Sequence, residues 1–477
     1  MPEVESNSPK RRERLAAWLT PARIAALSAA VVAWVVVIGI AIVSTDLRPL
    51  ADDYCHGARA TLGYVGSVAV WFQTWIGDLF QLAITALLVG QPLAHLPFAL
   101  ASAVPFLATL GVVALAAFVA IAGAPVGARG DRILFATLAV PTLIITWLGY
   151  WWIPAAIEPS ESDRPWLLAA GITDWQTVAV QYALVPALLI GAGLIIEFRR
   201  PRRRWITAVL FGLLGLASGL GGLVFGVASL VFVPALFLGR VIHARAVSTA
   251  RLIETAAFAV FCVVGITIAY FAPGSLVRNA NLLPIRPFGV DVTPGELLRW
   301  VFPQGVLDWV GMLFGAGTVV AVLVGLSLAL AGTRLRTVGS ASSTASVGLS
   351  LVAFSLIIAV ASRAADGFSY EGFWHEVVPR SVMFLGMLAL GAAAGVRLGR
   401  HPDGAGRLAQ IAVLAAGAVV AVTVLGSLLV MQSHIEQRLA QWSVGAAPSS
   451  ALDLETEWVQ DCWATIGDFR PVPDRIP

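Results

Sequence analysis

The segment from Ile24 to Val43 reads IAALSAAVVAWVVVIGIAIV and contains no charged residue. At about 1.5 Å per residue, a helix of this length is about 30 Å long, which matches the hydrocarbon core of a bilayer. A cleaved signal peptide would have a shorter apolar stretch, followed by a small-residue cleavage site. We therefore interpret the segment as a signal anchor and as the first transmembrane helix.

The whole chain has the composition of an integral membrane protein. It has 477 residues, of which 58% are hydrophobic and 12% are charged, whereas a soluble protein has about 25% charged residues. Ten further apolar spans predict an all-α polytopic bundle of about eleven helices. Their expected positions are 98–124, 134–152, 176–197, 206–220, 222–239, 252–271, 310–331, 346–362, 381–396 and 408–430.

The glycines at 219, 221 and 222 leave two interpretations of the spans at 206–220 and 222–239. The stretch is either one long kinked helix or two short helices joined by a tight turn. No internal repeat is visible along the chain, which disfavours the inverted-repeat transporter folds.

The distribution of charge predicts the topology. With the N-terminus inside, the short inner loops hold most of the 31 basic residues, and most of the 28 acids lie outside. This asymmetry follows the positive-inside rule. We expect a multi-pass protein of the plasma membrane with a basic cytoplasmic N-terminus at 1–23, a helical domain at 24–430 and an extracytoplasmic tail at 431–477.

Two of the three cysteines are expected outside the membrane, and the third is expected within it. Cys55 lies in the first outer loop (45–97) and Cys462 in the tail, in an oxidising compartment where a disulfide can persist. The two residues either form a bridge that ties the tail to the first loop or remain unpaired thiols. Cys262 lies in an apolar span and is expected in the core.

An acidic pair in the first outer loop is the strongest candidate for chemistry. Asp52 and Asp53 follow the first span by about nine residues, in the stretch ADDYC, and are expected at the rim of the bilayer. Burial and a like-charged neighbour would raise a carboxylate pKa there. Such a pair can act as a general base or bind a divalent cation such as Mg²⁺ or Mn²⁺. A solvated loop explains the pair equally well.

Aromatic residues follow the acidic pair at a spacing typical of an interfacial helix. They include Tyr64, Trp71 and Trp75, and Gly77 and Asp78 come directly afterwards. The arrangement resembles the GT-C glycosyltransferases, and the stretch is similar to a family of uncharacterised bacterial membrane proteins with GT-C-like organisation. The segment APGSLVRN at 272–279 resembles an APGN-x-x-R element of such families. Ser275 stands where asparagine is usual, and Asp78 where an arginine commonly follows the glycine.

The resemblance implies an enzyme that transfers a sugar from a polyprenyl-phosphate donor to a cell-envelope acceptor on the outer face. It implies Asp52 or Asp53 as the base, with a divalent cation as an optional cofactor. The partners are then membrane lipids and the lipid-linked donor, and not nucleic acid. Donor-phosphate and substrate contacts are implied for Tyr54, Arg278, Asn279, His375, Glu376 and Arg380.

Two other functions compete with the enzyme. A lipid or glycolipid flippase or another transporter is one, although the predicted apolar spans contain almost no ionisable residue of the kind that coupled carriers use. The only lysine is Lys10, so the chain has no P-loop and could not bind ATP in that way. A non-catalytic membrane scaffold is the other alternative, and it predicts that Asp52 and Asp53 tolerate substitution.

Overall fold

A computed structural model describes residues 20–47, 52–123, 128–157, 164–201, 203–276, 295, 299, 301–335, 337–366, 376–400 and 404–443. These residues form helices, turns and short connections, without a β-strand in the described part of the chain. The helices are α1 (Pro21–Val43), α2 (Asp52–Ala60), α3 (Gly63–Thr74), α4 (Leu79–His95), α5 (Phe98–Ala122), α6 (Arg129–Ile157), α7 (Arg164–Thr173), α8 (Gln176–Phe198), α9 (Arg204–Gly219), α10 (Leu223–Ala244), α11 (Thr249–Phe271), α12 (Phe302–Leu313), α13 (Ala316–Arg334), α14 (Ala341–Asp366), α15 (Val377–Gly399) and α16 (Gly404–Ser443).

Ten of these helices contain a stretch long and apolar enough to cross a membrane. The expected all-α polytopic fold is therefore confirmed, and the protein is a multi-pass membrane protein. The eleventh predicted span corresponds to α9, which has 16 residues and, at about 24 Å, is shorter than the ten long apolar helices. Large aliphatic side chains on α1, such as Val32 and Ile42, are more than half exposed, as expected for a face in contact with lipid.

Helices α6 and α15 form the centre of the bundle. In each helix, about two thirds of the residues in the most apolar 18-residue stretch are buried. Trp147 and Phe384 meet there with ring centroids 5.0 Å apart. Helix α15 also packs closely on α13, because glycines lie at the contact. A Cβ atom on Gly391 would stand 2.1 Å from the carbonyl oxygen of Val322. Small residues let membrane helices approach in this way.

The chain alternates between two ends of the bundle, and side-chain contacts identify both. At one end Arg23 of α1 pairs with Asp131 of α6, with Nε 2.8 Å from Oδ1. At the other end Asp53 contacts the start of α8. We call these the Arg23 end and the Asp53 end. The predicted topology makes the Arg23 end cytoplasmic, and that orientation stays a prediction.

The glycine-rich segment near residue 220 is a turn between two helices, which decides between the two interpretations of the sequence. Helix α9 ends at Gly219 and α10 begins at Leu223. Gly222 in the turn has φ +126°, a conformation that glycine adopts without the steric cost of a Cβ atom. The carbonyl oxygen of Leu220 accepts hydrogen bonds from the amides of Phe80 and Gln81, at 3.0 and 3.2 Å. Helix α4 therefore begins against this turn.

Two predicted boundaries are wrong. The last helix continues to Ser443, so the segment predicted as an outer tail from residue 431 begins inside α16. The predicted span at 310–331 corresponds instead to α13, which begins at Ala316 after the separate amphipathic helix α12. Residues 444–477, which make up the rest of the predicted tail, lie outside the described residues, as does most of the predicted N-terminal segment.

Candidate functional site

Asp53 is fully buried and holds the first amides of helix α8. Its Oδ1 atom accepts hydrogen bonds from the Thr177 amide at 2.7 Å and from the Thr177 hydroxyl at 2.6 Å. Its Oδ2 atom accepts a hydrogen bond from the Gln176 amide at 3.2 Å. The N-terminal amides of a helix lack partners within the helix and favour a negative charge. Asp53 thus connects the first loop to a transmembrane helix, and both of its oxygens are engaged.

His56 and Arg59, which follow Asp53 on α2 by one and two turns, form a stack with Trp71 of α3. His56 packs on Trp71 with ring centroids 4.3 Å apart and an interplanar angle of 24°. The guanidinium carbon of Arg59 lies 3.9 Å from the centre of the Trp71 ring, a cation–π geometry. Burial, followed by the charge of Arg59, lowers the pKa of His56 from 6.5 to about 3. His56 is therefore neutral at physiological pH.

A second buried pair lies at the same end of the bundle. Asp174 lies two residues before the start of α8, and its Oδ2 atom lies 2.8 Å from Nε2 of His434 on α16. Both side chains are less than a tenth exposed. The His434 ring packs against Trp166 and Trp152, with centroids 4.7 and 5.6 Å apart. The sequence did not indicate this pair, because residue 434 was predicted to lie in a tail outside the membrane.

Several buried polar atoms near these groups make no hydrogen bond to any described residue. A large majority of buried polar atoms in proteins have a partner, so these atoms are candidate hydrogen-bonding groups for a ligand. Gln176 also donates from Nε2 to the Ser102 carbonyl at 3.1 Å, which brings α5 into the cluster. The atoms without a described partner include His56 Nδ1, Ser67 Oγ, Trp71 Nε1, Ser102 Oγ and Gln176 Oε1.

The two segments that carry the sequence resemblance touch each other. The Gly77 amide donates to Oγ of Ser275 at 2.8 Å, and the same hydroxyl donates to the Ala269 carbonyl at 2.7 Å. A Cβ atom on Gly77 would stand 2.0 Å from the Ala269 carbonyl oxygen, and one on Gly274 would stand 2.5 Å from the Trp75 amide. Both positions therefore require glycine for this close approach. Nothing in the spacing of the sequence indicated this contact between residues about 200 positions apart.

Arg380 lies on the first turn of α15, at the Asp53 end. Its Nη2 atom is 3.3 Å from Oε2 of Glu376, and its carbonyl accepts a hydrogen bond from the Tyr150 hydroxyl at 3.2 Å. Its Nε atom is buried and makes no hydrogen bond within the described part of the chain. Glu376 holds the guanidinium from one side, and Nε is the donor of Arg380 that has no partner among the described residues.

The remaining predicted site residues fall partly or wholly outside the description. Asp52 and Tyr54 belong to α2, but their side chains are outside the described part. Arg278, Asn279 and His375 lie entirely outside it. The roles predicted for these five residues remain predictions.

Cys55 forms a disulfide and packs with Trp71 and Leu82. Cys262 is a buried free thiol, in agreement with its expected place in the core. Cys462 lies outside the described residues, so its pairing with Cys55 stays a prediction.

A divalent cation is the one cofactor that the sequence suggested. Among the side chains that the structure describes, no group of three or more His, Cys, Asp or Glu residues could hold a metal ion. Asp53 does not fit this role, because both oxygens already accept hydrogen bonds from α8. The side chain of Asp52 lies outside the described part, so its predicted contact with a divalent cation stays a prediction.

Taken together, the Asp53 end presents buried carboxylates, a neutral histidine, a second histidine and an arginine with an available donor. Comparison of the chain with protein-family models, with curated proteins and with solved structures finds no match. The function must therefore be argued from the chemistry of these groups and from the resemblance carried by the first loop.

Proposed function

We propose that the protein is a membrane-bound glycosyltransferase that takes a sugar from a polyprenyl-phosphate donor and transfers it to a cell-envelope acceptor. The observation that carries the proposal is the contact between Gly77 and Ser275, at 2.8 Å. It joins the two segments whose sequences resemble GT-C enzymes, and a family-specific site built from both segments requires such a contact. The buried polar atoms at the Asp53 end provide a place where an acceptor could bind.

The proposed reaction assigns the base role to Asp52. Asp53 accepts three hydrogen bonds from Gln176 and Thr177, which occupy both of its carboxylate oxygens. Asp53 is then a positioning residue that fixes α2 against α8. Asp52 takes the proton of an acceptor hydroxyl, whose oxygen attacks the anomeric carbon of the donor sugar. The bond from that carbon to the phosphate oxygen breaks, and the polyprenyl phosphate leaves with the electron pair.

Arg380 is the described residue best suited to the donor phosphate. A guanidinium can form two parallel hydrogen bonds with phosphate, and Nε of Arg380 is without a partner among the described residues. Its contact with Glu376 holds the side chain in place before the donor binds. Arg278 is proposed as the second phosphate ligand on the strength of the resemblance alone.

The test is complementation of a deletion strain at equal membrane levels of each variant. We expect the deletion to lose an envelope sugar and to accumulate the polyprenyl-phosphate-linked donor. Asp52→Asn and Arg380→Gln should fail to restore the sugar. Asp46→Asn, a matched change at an exposed carboxylate just before α2, should restore it. Restoration by both Asp52→Asn and Arg380→Gln, or no accumulation of donor in the deletion strain, would refute the proposal.

A lipid or glycolipid carrier is the second candidate, and the Asp174–His434 pair favours it. Ionisable residues buried in a membrane bundle often mark transport pathways, and His434 lies within the candidate span Val419–Gln437. Purified protein in liposomes with a fluorescent lipid tests this function. Accelerated bleaching of the inner-leaflet label by dithionite, abolished by Asp174→Asn, would identify a carrier instead of a transferase.

A further inference from the structure

A cavity of about 400 Å³ lies between membrane-spanning helices, and none of the residues of the Asp53 cluster lines it. Helices α8, α9, α10, α11 and α14 surround it. Its volume is within the range of about 300–1,000 Å³ that is common for small-molecule sites. The proposed glycosyl transfer does not use this cavity.

The cavity has one charged end and apolar walls. Its wall residues include Leu214, Phe225, Phe232 and Phe354. Along α10 it extends from Phe225 to Arg240, a distance of about 22 Å for 15 residues of helix. Long apolar walls that lead from a charged opening are suited to an acyl chain with a polar headgroup.

An ionic network lies at the charged end of the cavity. Glu197 accepts hydrogen bonds from Arg251 at 2.6 and 2.8 Å, and Arg240 lies 3.4 Å from the same carboxylate. Glu254 pairs with Arg200 at 3.1 Å and with Arg251 at 3.7 Å. Three guanidiniums thus face two carboxylates, which leaves one positive charge in excess. Among the three arginines that contact Glu197, Arg240 makes the longest contact, and its side chain is about half exposed (53%). Arg240 can therefore turn toward an anion at little cost in free energy.

We propose that this cavity binds one anionic phospholipid from the leaflet at the Arg23 end. One of its two acyl chains lies along α10 between the apolar walls, and its phosphate contacts Arg240 beside the Glu197–Arg251 pair. The excess positive charge selects an anionic lipid over a zwitterionic one. The N-terminal segment of the chain is a poorer occupant, because its run of Lys10, Arg11, Arg12 and Arg14 carries the same sign as the opening.

The probe is the full-length protein, extracted from liposomes of phosphatidylglycerol and phosphatidylcholine and examined by native mass spectrometry. We expect wild-type protein to retain one phosphatidylglycerol in preference to phosphatidylcholine. Arg240→Gln should lower this preference by roughly fivefold, as expected for the loss of one arginine near an anionic lipid. Arg132→Gln is the matched control, since this exposed arginine at the same end does not line the cavity.

A second pair of variants tests the walls. Ser350→Trp fills the cavity and should abolish retention of either lipid, whereas Leu349→Trp places the same side chain at an exposed position of α14 outside the cavity. Equal retention of the two lipids by wild-type protein overturns the proposal, and so does retention unchanged in both Arg240→Gln and Ser350→Trp. A dimer without bound lipid that is disrupted by Ser350→Trp would identify a second copy of the chain as the occupant and would likewise overturn it.

Discussion

Nε2 of His434 lies 2.8 Å from Oδ2 of Asp174, although 260 positions of sequence separate the two residues. This contact joins the last helix of the bundle to the start of α8 within a shell of tryptophans. Breaking a buried pair by removing one partner leaves the other polar group buried without compensation.

We therefore expect His434→Leu to lower the free energy of unfolding by about 3 kcal/mol. Asp174→Asn keeps a hydrogen-bonding group of the same size and should cost only about 1 kcal/mol. Thermal unfolding in detergent micelles measures both changes. Ser433→Ala, at the exposed neighbouring position of α16, is the control and should leave the midpoint unchanged. Equal midpoints for His434→Leu and wild type would show that the pair does not stabilise the bundle.

Substitution of Asp53 should damage folding before it damages chemistry. Asp53→Ala removes three hydrogen bonds to the start of α8. We expect it to lower the free energy of unfolding by about 3 kcal/mol, which is at the upper end of the range for the loss of buried hydrogen bonds and helix caps. Asp53→Asn should also destabilise, because its amide group must face a backbone amide. The measurement is the thermal unfolding midpoint of each Asp53 variant, compared with that of the control Asp46→Asn. A wild-type midpoint in Asp53→Ala would contradict the capping role.

Acid should destabilise the first loop through His56. The pKa of His56 is lowered from 6.5 to about 3 in the folded protein, so between these values the unfolded chain binds the extra proton and the folded chain does not. Stability is then lost as the pH falls below about 6.5, by about 2 kcal/mol at about pH 5. His56→Phe keeps the stack on Trp71 and should remove this part of the pH dependence. An unchanged pH dependence in the variant would show that other groups cause it.

The approach of the first loop to residues 269–275 should not tolerate a methyl group. Gly77→Ala would place a Cβ atom 2.0 Å from the Ala269 carbonyl oxygen, so the loop must move, and we expect a loss of several °C in the unfolding midpoint. Ser275→Ala removes the hydrogen bonds of the hydroxyl with the Gly77 amide and the Ala269 carbonyl and should lower the free energy of unfolding by about 2 kcal/mol. Gly111→Ala is the matched control, since a Cβ atom there meets nothing within 4 Å. A stable Gly77→Ala protein with full activity would contradict the contact.

The disulfide of Cys55 gives a further test. Cys55→Ser and Cys462→Ser should each lower the stability by about 3 kcal/mol, and the double variant should lose no more than either single one. Peptide mapping without reduction should recover the cross-linked pair. Cys262→Ser leaves the disulfide intact and serves as the control. Additive losses in the double variant would show that Cys55 and Cys462 do not pair.

Hydropathy predicted the helices well and their polar contacts poorly. A span such as Ile24–Val43 is recognisable because lipid requires about 20 apolar residues in succession, and α1 covers it. The end of α16 was misplaced because polar residues such as Gln432 and His434 resemble a solvent-exposed tail when the partner of His434 is unknown. Likewise, Asp53 belongs to an acidic pair in the sequence, but its burial depends on Thr177, which is 124 positions away. Such pairings follow from helix packing, which local composition does not encode.

The hydrogen bonds from Phe80 and Gln81 to Leu220 also determine the order of assembly during synthesis. At about 5–20 residues per second, the ribosome reaches Leu220 roughly ten seconds after Phe80. Throughout that interval the first amides of α4 lack their acceptor, and Asp53 likewise waits for the amides of Gln176 and Thr177. The contacts of Asp53 are thus completed only after three transmembrane helices have been synthesised, and the contact of Asp174 with His434 only near the end of synthesis.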